Sequence, residues 1–575
     1  MATEIAGLKQ RSRRFIAGEI TAFLLFIGFL VLYTVVDWGT VLIVFSLLSL
    51  VLYSAIRRLD VLNDEHIHDL SALRNVYLHE WSYHQADFSC FDSGARYADP
   101  HHPFTFDLDV FGRDSLFQRI NRTVTTGGSD QLAARLATVA DTSSCADAID
   151  ELAEMETWRA RFMAFEYDRK IDSTAILHAL QAVKMLKIPA FAGSRLVFAA
   201  AWLLVGGLFV AIAGAVAGVV SANLPIAWAV LQFFAVFFVC SGPCRVIAKA
   251  VDQLHAQFRT YAALIRWVGQ TTFRTPENRS LAQLLNQSIT SFDQLNDLLN
   301  ALDRRANVLG LFLMDALFLS DFFLVRRFLR WQSRYTDRIP EWIEAVGRID
   351  ALVSMGTFRY NEPQAVRAEV VRSASVIYEA RGLYHPFLGT EAVPNDITLA
   401  DRHYYIVTGA NMAGKSTFLR AIGVNYLLAM NGLPVFAQSL RVSAFGLFSS
   451  MRTTDDLAHG ISYFNAELLR LKQLIEYSKN NSPTLIILDE ILKGTNSLDK
   501  LNGSRLFLQS MAALPVTGII ATHDLELSKI ENERFHNYCF EIELGNHVTY
   551  SYRLTPGVAR NQNATFLLKE LLCQA

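Results

Sequence analysis

Two long parts of this 575-residue sequence contain no Asp, Glu, Lys or Arg. The first comprises residues 20–36 and 38–56, which only Asp37 separates, and the second runs from Leu196 to Cys244 with Pro225 near its middle. Each half is about long enough to cross a hydrocarbon core, which needs around 20 helical residues. The pattern therefore predicts two transmembrane helical hairpins.

Other readings of the two apolar parts are less consistent with the sequence. A cleaved signal peptide is the alternative for the first part, but it lacks a persuasive small-residue cleavage site and a second apolar run follows at once. Buried core helices are the alternative for the second part. So long a charge-free run is rare in a soluble domain, because most of a domain's surface must face water.

Cationic residues flank both predicted hairpins. Because Lys and Arg next to transmembrane helices stay on the cytoplasmic side, both hairpins leave all the large segments in the cytoplasm. We therefore expect a multi-pass protein of the cell (cytoplasmic) membrane with its other domains in the cytoplasm. The flanking residues are Lys9, Arg11, Arg13, Arg14, Arg57 and Arg58 for the first hairpin, and Lys184, Lys187, Arg195, Arg245 and Lys249 for the second.

The composition agrees with a membrane-anchored protein that has a substantial soluble part. Apolar residues make up 51% and charged residues 19% of the chain, and the mean hydropathy is +0.22. The six cysteines lack metal-site spacing, which favours reduced thiols. A net charge of −2 does not indicate a nucleic-acid-binding protein. The basic run Arg326, Arg327, Arg330 and Arg334 is a local nucleic-acid patch, a solvated helix face or a contact with anionic lipid headgroups.

A glycine-rich loop joins a predicted strand to a predicted helix in the C-terminal part. The apolar run that starts at Tyr404 leads into Gly409-x-x-x-x-Gly414-Lys415-Ser416, and a helical pattern follows from Thr417 to Met430. This is the context in which a P-loop binds a nucleoside triphosphate: backbone N–H groups converge on the phosphates, the lysine reaches the β- and γ-phosphates, and the serine hydroxyl ligates Mg²⁺.

Two further apolar runs end in polar residues. Residues 485–488 precede Asp489 and Glu490, and residues 518–522 precede His523. We expect Asp489 to hold the Mg²⁺ shell, Glu490 to polarise the water that attacks the γ-phosphate, and His523 to sense that phosphate. A surface acidic pair and a capping or packing histidine are the alternatives.

These motifs occur in the order found in one family. From about His385 to the C-terminus, the chain resembles the ATPase domain of the MutS family. The matching motifs are His385-Pro386, Val393–Asp396, Thr408–Thr417, Asp455–Leu457, Gly460-x-Ser462-x-Phe464-x-x-Glu467, Asp489-Glu490, Lys493–Thr495, Thr522-His523 and Pro556–Ala559.

The resemblance implies a fold, a reaction and partners. It implies an α/β P-loop ATPase domain of the ABC type that hydrolyses ATP with Mg²⁺, and a homodimer in which Ser462 reaches the γ-phosphate bound by the other protomer. It also implies double-stranded DNA as a partner. The implied catalytic residues are Glu490, Lys415 and His523, the metal ligands are Ser416 and Asp489, and the nucleotide-binding residues are Gly409, Ala410, Asn411, Met412, Ala413, Gly414, Lys415, Ser416, Thr417 and Ser462. From the residues alone, Ser462 is equally a helix N-cap.

The sequence also departs from the family pattern. Ala410 and Ala413 replace the usual Pro and Gly of the loop, Tyr463 replaces a Thr, and Lys493 replaces an Arg. Ala392 stands where the family often has an aromatic residue near the adenine. Because the chain opens with an apolar hairpin, we expect no counterpart of the family's mismatch-recognition domain.

Upstream, residues 107–127 resemble the start of the MutS core and lever region, and helical periodicity follows over residues 147–165 and 281–311. We predict that a mainly α-helical core and lever domain carries both hairpins and precedes the ATPase domain. The predicted layout is an N-terminal hairpin at 1–60, core/lever regions at 61–192 and 248–375, a second hairpin at 193–247 and the ATPase domain at 376–575.

The leading hypothesis is a membrane-anchored dimeric ATPase whose conformational change is coupled to double-stranded, mismatched or branched DNA. The alternative is a membrane-associated ATPase that acts on a protein or lipid partner and has no DNA role. A transporter-like protein of the ABC class is a third reading. The presence of only four predicted spans, in two distant hairpins, argues against it.

Overall fold

The computed structural model describes residues 1–36, 39–140, 142–166, 170–186, 189–251, 255–305, 308–452, 462–544 and 548–560. The chain divides into two units, each assembled from three separate stretches. We call them the helical unit and the sheet unit. The helical unit contains Met1–Cys90, Glu156–Trp267 and Thr290–Thr336, and the sheet unit contains Phe91–Met155, Val268–Ile289 and the chain from Asp337 onward. The five-part domain layout stays a prediction.

The first apolar part folds as two helices that pack along each other. Helix α1 covers Ala2–Val35, and α2 covers Gly39–His84, so both extend beyond their charge-free residues. Two side chains of α2 donate hydrogen bonds to backbone carbonyls of α1. Ser46 Oγ donates to the Phe26 carbonyl (3.2 Å), and Asn63 Nδ2 donates to the Leu8 carbonyl (3.1 Å). These bonds satisfy polar side chains within the helix pair.

The second apolar part also folds as two packed helices. Helix α8 covers Arg195–Val216, with Ser194 as its N-cap, and α9 covers Asn223–Val251. Gly207 lets the two helices approach closely, since a Cβ there would lie 3.0 Å from the Trp228 ring. In the described part of the chain, α1, α2, α8 and α9 are the helices long and apolar enough to cross a membrane.

Three further helices of the helical unit, α7 (Ser173–Lys184), α12 (Val308–Phe318) and α13 (Ser320–Tyr335), pack against α9, whereas α6 (Glu156–Met163) packs against α2. Two other helices, α10 (His255–Gly269) and α11 (Pro276–Arg304), are shared between the units. Helix α10 belongs to the helical unit up to Trp267, and helix α11 belongs to it from Thr290 onward.

The helices of the sheet unit converge on α14 (Ile339–Asn361), which is buried along most of its length. Asp350 of α14 accepts hydrogen bonds from the backbone N–H groups of Val124 (3.0 Å) and Thr125 (2.8 Å), just before α4 begins. This buried carboxylate holds the predicted start of the core region against α14. The neighbouring helices are α3 (Leu116–Ile120), α4 (Thr126–Leu136) and α5 (Ala146–Glu154).

Two β-sheets complete the sheet unit. The larger is six-stranded with the order β10-β9-β4-β8-β7-β6, parallel except for β10. The smaller is four-stranded with the order β1-β5-β2-β3. The strands are β1 (Glu369–Val371), β2 (Tyr378–Leu383), β3 (Asn395–Leu399), β4 (Tyr404–Gly409), β5 (Ser439–Ser443), β6 (Gly446–Ser450), β7 (Thr484–Asp489), β8 (Val516–Thr522), β9 (Phe535–Leu544) and β10 (Val548–Pro556).

Helices α15 (Lys415–Met430), α16 (Tyr463–Asn480) and α17 (Ser497–Met511) accompany the larger sheet. Its central strands are apolar on both faces, as parallel strands covered by helices are. Because the carboxyl ends of parallel strands meet at one edge, the residues that follow β4, β7 and β8 lie together. The predicted fold class is confirmed in outline: a helical region with long apolar helices precedes an α/β sheet region.

Candidate active site

The glycine-rich loop follows β4 at the carboxyl edge of the larger sheet. Gly409 ends the strand, and Gly414 caps α15 with a φ of 104°, in the left-handed region that favours glycine. A Cβ on Gly414 would also lie 3.2 Å from the Tyr552 ring. The loop therefore needs glycine at this position, and its backbone N–H groups lie at the positive end of the α15 dipole.

Lys415 is turned into the loop that it follows. Its Nζ donates to the carbonyl oxygens of Gly409 and Ala410, each at 2.8 Å, and the residue is only 5% exposed. Burial lowers the pKa of Lys415 to about 8, although the carboxylates of Asp489 and Glu490 act in the opposite direction. The loop thus holds a buried amine where phosphate oxygens would enter.

Ser416 and Asp489 meet across the sheet edge. The Ser416 hydroxyl donates to Asp489 Oδ2 at 2.5 Å, which brings together one hydroxyl and one carboxylate oxygen beside the loop. Mg²⁺ in nucleotide sites is usually held by one or two protein oxygens together with phosphates and water. The donor pair therefore fits Mg²⁺ in the position that the sequence predicts.

Glu490 lies directly after β7 with a φ of 63°. Its Oε1 is 3.3 Å from Lys500 Nζ and accepts a hydrogen bond from the His523 backbone N–H (3.4 Å). Burial raises the pKa of Glu490, but Lys500 and His523 lower the pKa more, so the carboxylate is ionised. Burial and the nearby Lys415 lower the pKa of His523, which keeps its ring neutral at pH 7.

One cavity of about 560 Å³ is lined by Asp489, Glu490 and His523. Residues 411–417, from the glycine-rich loop and the start of α15, belong to the same lining. Apolar side chains of Leu388, Val393 and Tyr552 belong to the same cavity. The structure therefore brings together the predicted phosphate-binding, metal-binding and catalytic residues.

Lys500 and Tyr552 are among the residues at this site that the sequence motifs did not indicate. Lys500 lies on α17, ten positions after Glu490, and Tyr552 lies on β10, next to a shift in the pairing of β9 and β10. Neither belongs to a local motif. For Lys500, the one available signal was a cation in the first turns of the helix that follows the acidic pair.

Ser462 occupies the helix-capping position that the sequence left open. Its Oγ accepts from the Asn465 backbone N–H (3.4 Å) at the start of α16, and its side chain is exposed. Among the described residues, Ser462 does not line the cavity. The preceding motif residues, Asp455–Leu457 and Gly460, lie outside the described part of the chain.

The C-terminal residues that form this site are similar to known proteins. Residues 405–566 match the family model of MutS domain V, a range that contains all the predicted site residues. The chain is also similar to proteins named DNA mismatch repair protein MutS. The relative from Persephonella marina is 29% identical over 245 residues, which are 41% of this chain and 27% of the relative.

The MutS protein of Chloroflexus aurantiacus is 34% identical over 240 residues, which cover 39% of this chain and 24% of the relative. That of Petrotoga mobilis is 28% identical over 239 residues, or 40% of this chain and 29% of the relative. The chain therefore spans about a quarter of the length of the curated relatives that it matches. The predicted resemblance to the MutS family is confirmed for the matched C-terminal residues.

Proposed function

We propose that this protein is a membrane-anchored, Mg²⁺-dependent ATPase that hydrolyses ATP to ADP and phosphate. The observation that carries this proposal is the convergence of Lys415, the Ser416–Asp489 pair and Glu490 around a glycine-rich loop in one cavity. The similarity of residues 405–566 to MutS domain V supports the same activity.

Phosphate binding would use groups that now bond to each other. The Lys415 ammonium exchanges the Gly409 and Ala410 carbonyls for phosphate oxygens, and the loop N–H groups at the start of α15 bind the remaining oxygens. Ser416 and Asp489 would hold Mg²⁺, which supplies charge neutralisation of the phosphates when bound. The adenine would lie toward Leu388, Val393 and Tyr552, where the cavity lining is apolar.

Glu490 would position and polarise the attacking water. Its carboxylate is ionised and is held by the His523 backbone N–H and by Lys500, so it can accept a hydrogen bond from water. His523 itself lines the cavity, where its neutral ring can contact the γ-phosphate. In this proposal the two residues recognise the γ-phosphate and direct its hydrolysis.

The same proposal includes a homodimer with composite sites. Ser462 is the N-cap of α16, and the apolar side chains exposed on α16 and α17 support an interface in this part of the sheet unit. In the dimer, Ser462 of each protomer would approach the nucleotide bound by the other. The exposed residues are Phe464, Leu468 and Leu469 on α16 and Leu498 and Leu506 on α17.

The proposed location is the cell membrane, with the sheet unit in the cytoplasm. It is supported by the length and apolarity of α1, α2, α8 and α9 and by the cationic residues that flank them. The proposed partner is double-stranded DNA, with mismatched or branched forms preferred, because the matching relatives are named as DNA mismatch repair proteins.

The test is steady-state ATP hydrolysis by detergent-purified protein. Turnover is measured alone and with homoduplex, mismatched and branched DNA, at low and physiological salt. We expect Glu490→Gln to lower turnover by at least about a hundredfold while ATP binding persists, since that is the usual contribution of a general base. Glu369→Gln, an exposed substitution on β1, is the matched control and should hydrolyse normally.

The outcomes separate the parts of the proposal. Unchanged turnover in Glu490→Gln would contradict the role of Glu490. Stimulation by one DNA form supports the DNA partner. Robust turnover that no DNA changes would favour the alternative function, an ATPase that acts on a protein or lipid at the membrane, which the apolar helices also fit.

A further inference from the structure

Helix α12 exposes large apolar side chains although it is too short to cross a bilayer. Phe312, Leu313, Met314 and Phe318 are each 40–49% exposed. The helix has 11 residues and is therefore about 16 Å long, roughly half of a hydrocarbon core. A soluble helix of this length would turn such side chains inward.

Two aromatic contacts attach α12 to the apolar helices α8 and α9. The rings of Phe318 and Phe209 are 5.8 Å apart, and those of Phe312 and Phe233 are 4.8 Å apart. Along the helix axes, Phe209 lies about 21 Å from Arg195, and Phe233 lies about 18 Å from Arg245. Both contacts are therefore deep within the charge-free segments of α8 and α9.

The one charged residue of α12 faces inward. Asp315 is fully buried, and its Oδ1 accepts from the Asp321 backbone N–H (2.8 Å) at the start of α13. Asp321 is in turn held by Arg305 through two bonds of 2.7 and 2.8 Å. Leu319, in the left-handed region with a φ of 51°, makes the sharp turn between the helices. The outward side of α12 is thus uncharged.

Helix α13 returns to the level at which α8 begins. Arg326 is buried and donates to the carbonyls of Ala192 (2.6 Å) and Ser194 (2.9 Å), immediately before α8. The basic run predicted from the sequence is therefore not one continuous cationic surface. Arg327, Arg330 and Arg334 remain exposed, where a helix that leaves an apolar layer meets water or headgroups.

We propose that α12 lies inside the lipid bilayer without crossing it, as a fifth membrane-embedded helix, with lipid hydrocarbon covering Phe312, Leu313, Met314 and Phe318. This inference rests on the membrane anchoring included in the proposed function. Helix α12 is too short to be assigned to the bilayer by its length. We assign lipid as the cover of its exposed side chains because they continue the apolar surface of α8 and α9, which are long enough to span.

The test places single cysteines in the full-length protein in lipid nanodiscs, in which both membrane faces are open to water. Leu313→Cys and Met314→Cys probe α12, Val210→Cys on α8 is the anchor control, and Glu369→Cys on β1 is the water control. Labelling by a membrane-impermeant maleimide is followed at the introduced site by peptide mass spectrometry, so the native cysteines stay. We expect labelling at 210, 313 and 314 to be at least tenfold slower than at 369, and uniformly fast after denaturation in detergent.

The labelling pattern distinguishes the embedding of α12 from the anchoring by α8 and α9. Fast labelling at 313 and 314 with protection at 210 overturns the embedding of α12 and leaves the anchor intact. Fast labelling at 210 as well overturns the anchor, and this inference with it. A photoreactive phenylalanine analogue at position 313 then identifies the molecule that contacts this side of α12. Adducts with lipid support the proposal, whereas adducts exclusively with a second protein chain overturn it.

Discussion

At the scale of single residues, Lys415 determines how the candidate nucleotide site responds to pH. Its amine is buried against the Gly409 and Ala410 carbonyls, and burial lowers its pKa to about 8. A bound triphosphate favours the protonated form, since opposite charges raise the pKa of an amine. Nucleotide binding and proton uptake are therefore linked above this pH.

We expect ATP affinity to be nearly constant below about pH 7.5 and to fall by up to about tenfold per unit above pH 8, as the free amine loses its proton. Isothermal titration calorimetry in two buffers of different ionisation enthalpy measures both the affinity and the proton uptake. The Lys415→Met protein should bind weakly at every pH without that uptake. Equal affinity at pH 7 and pH 9.5 in the native protein would contradict this account.

Lys500 is the second residue with a distinct effect at this scale. Its Nζ lies 3.3 Å from Glu490 Oε1, and both side chains are largely buried. The ammonium lowers the pKa of Glu490, so removing it should raise that pKa.

We expect Lys500→Met to move the acid limb of the pH–rate profile to higher pH while ATP affinity changes by less than about threefold, because the amine acts on the base rather than on ground-state binding. The profile of kcat against pH measures the shift. Lys529→Met, which removes an exposed lysine outside the cavity lining, is the matched control and should superimpose on the native profile. An unmoved limb in Lys500→Met would mean that Lys500 does not influence the base.

At the scale of elements, the segment around Asp107 joins α16 to the end of β6. Asp107 accepts from Ser449 Oγ and from the Arg452 backbone N–H, both at 2.9 Å, and lies 3.6 Å from Arg470. Asp109 binds the Arg452 guanidinium at 2.6 and 2.9 Å. The two carboxylates differ mainly in burial: Asp107 is 1% exposed, whereas the side chain of Asp109 is 37% exposed.

We therefore expect Asp107→Ala to destabilise the sheet unit by about 3 kcal/mol or more, because the buried Arg470 guanidinium keeps its carbonyl contacts but loses the carboxylate that balances its charge. Asp109→Ala should cost about 1 kcal/mol or less, as exposed pairs do. Thermal unfolding of the detergent-solubilised proteins compares the two. Equal effects of both substitutions would show that burial does not control this contact.

Local sequence patterns predicted the helices and strands better than they predicted the tertiary contacts between them. Charge-free runs indicated α1, α2, α8 and α9, and the motif order indicated the strands that end at Gly409 and Asp489. Helix α12 was missed because Asp315 interrupts its apolar run and because the run is too short for a span. Lys500 and Tyr552 were missed because chain folding, rather than sequence spacing, brings α17 and β10 to the cavity.

At the scale of the whole molecule, the chain passes between the helical and sheet units after Cys90, Met155, Trp267, Ile289 and Thr336. Neither unit is therefore a terminal segment that a single truncation could remove. The two apolar hairpins also lie in different stretches of the helical unit. Each hairpin should retain the protein in the membrane independently.

We expect a variant that lacks residues 1–60 to remain in the membrane fraction after alkaline carbonate extraction, because α8 and α9 are still present. Replacing residues 195–249 by a short polar linker in the same variant should release it, because α12 has 11 residues and is too short to span the bilayer by itself. Release of the variant that lacks residues 1–60 would contradict the prediction that α8 and α9 by themselves retain the protein in the membrane. The full-length protein provides the retained control.

Helix α2 has a mechanical consequence for the first hairpin. It runs without interruption from Gly39 to His84, although its uncharged residues end at Ile56. About 42 Å of rigid rod therefore continues past the last uncharged residue. For such a lever, a tilt of about 10° displaces the far end by about 7 Å. Changes in bilayer thickness or tension that tilt α2 would thus be magnified at its other end.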